Sequence, residues 1–329
     1  MTLREVVDRY VAWQRDHGAK FHSSAETLDT FCRRIGEDRD CDRVGEEEIR
    51  RFLAGNGTLT RTRAVKYGTL AGFYSFALSR GHVRCIPMPP RETEPRSPEV
   101  APPFIFTHEE LRRLFRAAGG GRKRCLKLDV ETFRTFLLLL YGAGLRSGEA
   151  RRLTVADVDL DSAVLAVNDT KFYKSRLVPV GADLAGVLRR YAAIRKQRPL
   201  PEGSTSAFLA CRDGSLLKKA IVRHAFHATL RAAGIDKSKP GCRAACLHSL
   251  RHSFATHRLT SWYRERADVQ RFLLALSTYL GHGSVAATQV YISMTPDLLD
   301  EASRRFERYV ENNLSPDAGQ HRKGGTGHA

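Results

Sequence analysis

Phe136-Leu137-Leu138-Leu139-Leu140-Tyr141-Gly142-Ala143-Gly144-Leu145-Arg146-Ser147-Gly148-Glu149 changes character twice along its length. The apolar run continues a helix expected over roughly Val130 to Tyr141; Gly142-Ala143-Gly144 breaks it, and helix resumes over Glu149 to Leu153. The run from Phe136 to Tyr141 is far shorter than the ~20 apolar residues a bilayer span needs. An arginine placed just after two glycines, where a helix begins, sits beside the positive end of that helix. Such a corner suits an anion. Taken alone, it reads equally well as an ordinary glycine turn carrying a surface arginine.

Downstream, Val164 to Val167 and Arg176 to Val180 read as two short strands around a polar turn. Helices are expected over Leu184 to Arg195, Lys218 to Ala233, Leu250 to Arg258, Val269 to Leu280 and Pro296 to Val310. The last carries an apolar stripe (Leu298, Leu299, Ala302, Phe306, Tyr309, Val310), with Pro296 suited to its first turn. The tail, NNLSPDAGQHRKGGTGHA, is polar and glycine-rich and reads as disordered. Upstream, Thr107 and Glu110 form a capping box ahead of Leu111, Leu114 and Phe115. Before it, Ile86 to Pro103 holds Pro87, Pro89, Pro90, Pro95, Pro98, Pro102 and Pro103, a stiff extended linker. The first stretch reads as helices: Leu3 to Trp13, Ala25 to Ile35 with Ser23 or Ser24 as cap, Glu46 to Leu53, and Thr60 to Arg80 ended by Gly81.

The chain has 329 residues, 42% hydrophobic and 27% charged, enough to bury a sizeable core over two domains. Its 54 Lys and Arg against 36 Asp and Glu leave a net charge of +18. Residues 1–103 contribute only +2 of this, and residues 104–329 contribute +16. A basic excess gathered in the later part favours a polyanion, nucleic acid above all, although an arginine-rich genome produces the same composition. MTLREVVDRY lacks the apolar core of a signal peptide, so neither secretion nor membrane insertion is expected. The seven cysteines are odd in number and scattered, as reduced cytosolic thiols would be. Cys242 and Cys246 with His248 and His252 match no common zinc spacing.

Two further segments carry chemistry. In His248-Ser249-Leu250-Arg251-His252, a helix start brings His248, Arg251 and His252 onto one face, an imidazole beside a planar cation that suits phosphate. The same pattern fits a solvated helix end. Leu280-Gly281-His282 is followed by Tyr291 within Ala287-Thr288-Gln289-Val290-Tyr291, and a lone tyrosine is ordinarily a packing residue. The ordered set Arg, Lys, His-x-x-Arg, Gly-His, Tyr is far more specific than any of its parts.

On that set, and over residues 1–310, the chain resembles the tyrosine recombinases of the phage-integrase type, Xer-like or transposon-encoded. The resemblance implies a mainly α fold with a small β-sheet. It places a helical, SAM-like core-binding domain at residues 1–86, a linker at 87–103, an α+β catalytic domain at 104–311 and a disordered tail at 312–329. It implies strand cutting and rejoining through a 3′-phosphotyrosine, with Tyr291 as nucleophile and Arg146 and Arg251 clamping the phosphate. His248 would move the tyrosine proton, and His282 would donate to the phosphate. Glu149 would pair with a basic residue that orients the site. The family places its lysine on the strand turn, often as Gly-Lys-Gly. Here, in Thr170-Lys171-Phe172-Tyr173-Lys174-Ser175-Arg176-Leu177-Val178-Pro179, counting back from Val178-Pro179 favours Lys171, with Lys174 the alternative.

The covalent intermediate keeps the bond energy, so no ATP, cofactor or metal is implied. The implied partner is double-stranded DNA, gripped by a homotetramer on synapsed sites, with an accessory recombinase or DNA-bending protein as a further partner and no membrane. The implied location is the nucleoid-associated cytoplasm. The stretch Arg258 to Thr278 is longer than usual for the family and reads either as a DNA- or protomer-contacting elaboration or as a solvated loop. Competing readings are a topoisomerase-like relaxer and a binding protein without cleavage, although every expected catalytic position is filled. A metal-dependent phosphatase or nuclease lacks its carboxylate cluster.

Overall fold

Thr2 starts the first helix by accepting the Glu5 amide at 3.3 Å while the Glu5 carboxylate takes the Thr2 amide at 3.0 Å, a reciprocal cap. In the computed structural model, which describes residues 1–55, 61–91, 101–119, 127–168, 175–265 and 269–281, this helix opens the first of two compact units, Met1–Val100 and Ala101–Ala329.

The first unit contains α1 (Leu3–Asp16), α2 (His22–Ile35), a 3-10 turn (Cys41–Arg43), α3 (Glu46–Ala54) and α4 (Arg61–Ser79). Leu3, Val6 and Tyr10 of α1 meet Leu28 and Phe31 of α2, Ile49 and Phe52 of α3, and Leu70, Phe73 and Tyr74 of α4 in one buried cluster. The expected start of α2 is corrected. Neither Ser23 nor Ser24 caps it, because the helix begins at His22 behind Phe21, whose backbone is left-handed (φ 30). The Phe21 ring stands edge-on to Tyr10 at 5.3 Å, so aromatic packing rather than a serine hydroxyl sets the entry angle. Thr60, the expected start of α4, lies outside the described residues, as do linker residues 92–100.

The second unit runs α5 (His108–Gly119), α6 (Val130–Gly142), α7 (Ser147–Arg152), β1 (Val158–Asp159), β2 (Val164–Val167), β3 (Arg176–Pro179), α8 (Ala182–Lys196), α9 (Lys219–Ala232), α10 (Leu247–Arg264) and α11 (Val269–Leu280). The Thr107–Glu110 box holds the start of α5, with amide-to-side-chain bonds of 2.8 and 3.1 Å. Asp129 caps α6 by accepting from the Glu131 and Thr132 amides. Between its ends α6 buries Phe133, Phe136, Leu137, Leu139 and Leu140 and packs on α5, α7, α8 and α10, so it is the hub of this core.

The antiparallel sheet has the order β1-β2-β3, with Leu165 opposite Val178 and Val167 opposite Arg176. The mainly α architecture with a small sheet is the one expected, although β1 was not anticipated. Two residues are too few to show a period-two pattern.

The largest correction concerns α10, expected over Leu250 to Arg258 and found over Leu247–Arg264. The first part of the long stretch after Arg258 is therefore helix, not loop. Trp262 stacks on Phe272 of α11 at 5.0 Å, and both helices close over Leu259, Leu273 and Leu276. No helix among the described residues is long and apolar enough to cross a membrane. Residues 296–310 and the tail lie outside the described residues.

Candidate active site

α6 ends at a corner that only glycine tolerates. Gly144 has φ +59, and a Cβ there would lie 2.6 Å from Phe254 Cδ1 and 2.9 Å from Leu280 Cδ2. The turn delivers Arg146 to the start of α7. There the Arg146 amide donates to Glu149 Oε2 at 2.9 Å and its guanidinium to Oε1 at 2.8 Å. Arg251 projects from the second turn of α10, wholly buried, and donates to the Gly144 carbonyl and the Leu280 carbonyl, each at 2.6 Å.

Three guanidiniums take three successive carbonyls at the end of α11. Arg176 Nε donates to Tyr279 O at 2.8 Å, Arg251 to Leu280 O at 2.6 Å and Arg146 to Gly281 O at 2.7 Å. The last carbonyls of a helix have no partner within it and carry its negative end, so cations are the natural cap. Gly281 (φ +65) then turns the chain away in the left-handed conformation that commonly closes a helix. His282 is the next residue in sequence.

Glu149 is the pivot. Its side chain is 3% exposed and bonds both Arg146 and Arg176. Burial pushes its pKa up, but the hydrogen bond and charge of Arg176, followed by the bonds from Arg146, outweigh that and hold it at about 2. A carboxyl depressed on folding stabilises the native state above its ordinary pKa, and that stabilisation is lost as pH falls towards the folded value. Glu149→Gln is thus expected to flatten the stability profile below the ordinary glutamate pKa of 4.5. The wild type should lose on the order of 3 kcal/mol relative to the variant across that window. Denaturant melts taken between those limits would check this.

His248 is pushed the other way. Burial, then the charges of Arg251 and Arg146, lower its pKa to about 4, so at neutral pH it is an uncharged imidazole able to take a proton. The ring of His252, one turn on, meets it edge to face at 4.4 Å.

Of the residues expected to form the site, Arg146, Glu149, His248 and Arg251 converge around the end of α11. Lys171, its alternative Lys174, His282 and Tyr291 lie outside the described residues. Sequence reasoning expected a basic partner for Glu149 without identifying it as Arg176. The available signal was the period-two register that puts Arg176 on the same side of β3 as buried Val178. Among the described residues no three His, Cys, Asp or Glu side chains are grouped to hold a metal. A cavity of about 840 Å³ beside Phe106, Tyr141, Phe254 and His257 includes none of the four converging residues.

Residues 105–297 match the phage integrase family model. The chain is 35% identical to y4rB of Sinorhizobium fredii over 94% of this chain and 99% of that protein. It is 32% identical to the tyrosine recombinase XerC of Chlorobaculum parvum over 79% of this chain and 78% of that one. Among solved structures, the fold is similar to that of the Tn1549 transposon integrase in complex with a circular intermediate DNA. The TM-score is 0.63 at 18% identity, covering 94% of this chain and 99% of that chain. With the family model spanning more than half of its length, the chain belongs to the phage integrase family, the tyrosine recombinases of site-specific recombination.

Proposed function

We propose that this chain cuts and rejoins duplex DNA at specific sites through a 3′-phosphotyrosine on Tyr291. One observation carries the reading. Two guanidiniums, Arg146 and Arg251, meet at the end of α11, one residue before His282 in the sequence, and their charges help keep His248 uncharged. In the proposed step the Tyr291 hydroxyl oxygen bonds to phosphorus as the bond from phosphorus to the 5′ oxygen breaks. His248 accepts the tyrosine proton, and Lys171, with Lys174 as the alternative, supplies one to the departing oxygen. Negative charge developing on the non-bridging oxygens is met by Arg146, Arg251 and His282. The reverse attack by a 5′-hydroxyl of the exchanged strand reseals the backbone without ATP. Neither a metal nor a cofactor enters the step.

DNA is the partner to which the charge distribution points, with +16 of the net +18 in residues 104–329. Phosphate contacts then supply most of the affinity and make it steeply salt-dependent. The helical unit at the N-terminus serves as a second DNA-gripping domain, and the protein acts as a homotetramer on synapsed sites. An accessory recombinase or bending protein is compatible with this assembly, and the protein works at the nucleoid.

Covalent trapping tests the reading. Purified protein is mixed with nicked duplexes drawn from the DNA flanking its own gene, beside a supercoiled plasmid, and denaturing gels report SDS-resistant adducts. An adduct on flanking duplexes supports the reading. Relaxation of plain plasmid without site preference favours a topoisomerase-like activity, and tight binding with no adduct on any DNA favours a binding protein of the same fold.

A further inference from the structure

The guanidinium of Arg176 grips Glu149 at two points, Nη2 to Oε2 at 2.9 Å and Nη1 to Oε1 at 3.1 Å, while its Nε donates to Tyr279 O at 2.8 Å. Arg146 bonds the same two carboxylate oxygens. Glu149 therefore accepts two bonds from each arginine, which uses the capacity of an ionised carboxylate. We propose that Arg176 is a positioning residue for strand cleavage. It locks Glu149 so that Glu149 holds Arg146 in the orientation that clamps phosphate. This rests on the recombinase reading above.

Exposure separates the two arginines. The side chain of Arg146 is 34% exposed and that of Arg176 only 11%. Arg146 retains an open face for a phosphate, whereas Arg176 spends all three of its nitrogens on protein. Gly281 crowds it further, since a Cβ at that position would lie 2.8 Å from Arg176 Nη1. Arg176 also begins β3, two residues after Lys174 in the sequence, and Tyr279 donates its hydroxyl to Pro179 O at the other end of that strand. Strand and helix end are thereby tied at two points, with Glu149 at one of them. A lysine at 176 would keep the charge but lose the planar two-point grip.

The test measures single-turnover adduct formation and DNA affinity separately, using the full chain and the flanking-DNA duplex. Arg176→Gln is expected to slow adduct formation about 100-fold, as misplacing one catalytic group does, and Arg176→Lys to recover part of that loss. DNA affinity should stay within about twofold, because the lost interaction belongs to the chemical step. In an Arg146→Ala background, adding Arg176→Gln should slow the reaction by less than about threefold, since its path runs through Arg146. An unchanged rate in Arg176→Gln, a full independent loss in the Arg146→Ala background, or affinity and folding failing together with rate would each overturn the proposal while leaving the recombinase reading intact. Failure of the wild type to form any adduct would overturn that reading and this proposal with it.

Discussion

Tyr291→Phe is expected to abolish the SDS-resistant adduct while leaving DNA binding within about twofold of the wild type, because phosphate contacts from Lys and Arg supply most of the affinity. The substitution removes one oxygen and keeps the ring, so the atom proposed to bond phosphorus is gone. The tyrosine at the end of α11 is a poor substitute. Tyr279, at the end of α11, commits its hydroxyl to Pro179 O at 3.1 Å, and burial pushes its pKa to about 12. The measurement is a denaturing gel of both proteins on the same nicked duplex. An adduct that persists in Tyr291→Phe would remove Tyr291 from the mechanism.

Arg251→Ala is expected to lower both activity and stability. Arg251 is wholly buried and bonds Gly144 O and Leu280 O, joining the turn after α6 to the end of α11. Its removal strands two buried carbonyls, a loss of about 2–5 kcal/mol in denaturant melts. It also deletes one arm of the phosphate clamp, worth on the order of 100-fold or more in single-turnover cleavage. Arg251→Lys separates the two effects. A lysine reaches one carbonyl and keeps the charge, so it should regain part of the stability, yet it lacks the planar guanidinium and should stay slow. A folded Arg251→Ala protein cleaving within about tenfold of wild type would place the clamp elsewhere.

Both predictions draw on residues that were legible in the sequence, and the reason is local. Arg146, His248 and Arg251 sit in short segments whose spacing is itself the signal, and the motif order made them recognisable together. The Thr107–Glu110 cap was equally legible, because its partners lie three residues apart. The start of α2 was misread because a ring contact between Phe21 and Tyr10 outweighs two good capping serines. The extension of α10 was missed because Trp262 and its neighbouring arginines look like a polar loop until Phe272 stacks against them.

What the sequence determined by itself was the inventory: a helical first unit, a basic second unit built around an apolar helix, and the residue types of a phosphate-clamping site. The first two follow from periodicity, capping and composition, which act over a few residues, and the third from the order of short motifs that the chain shares with its family. What only the tertiary structure decided was the partner and the charge state of each group. Arg176 is 27 residues from Glu149 in the chain, Arg251 is 107 from Gly144, and Arg146 is 135 from Gly281. Desolvation and the field of neighbouring charges set the uncharged His248 and the strongly acidic Glu149. Both act through space, between residues that folding brings together from distant parts of the chain.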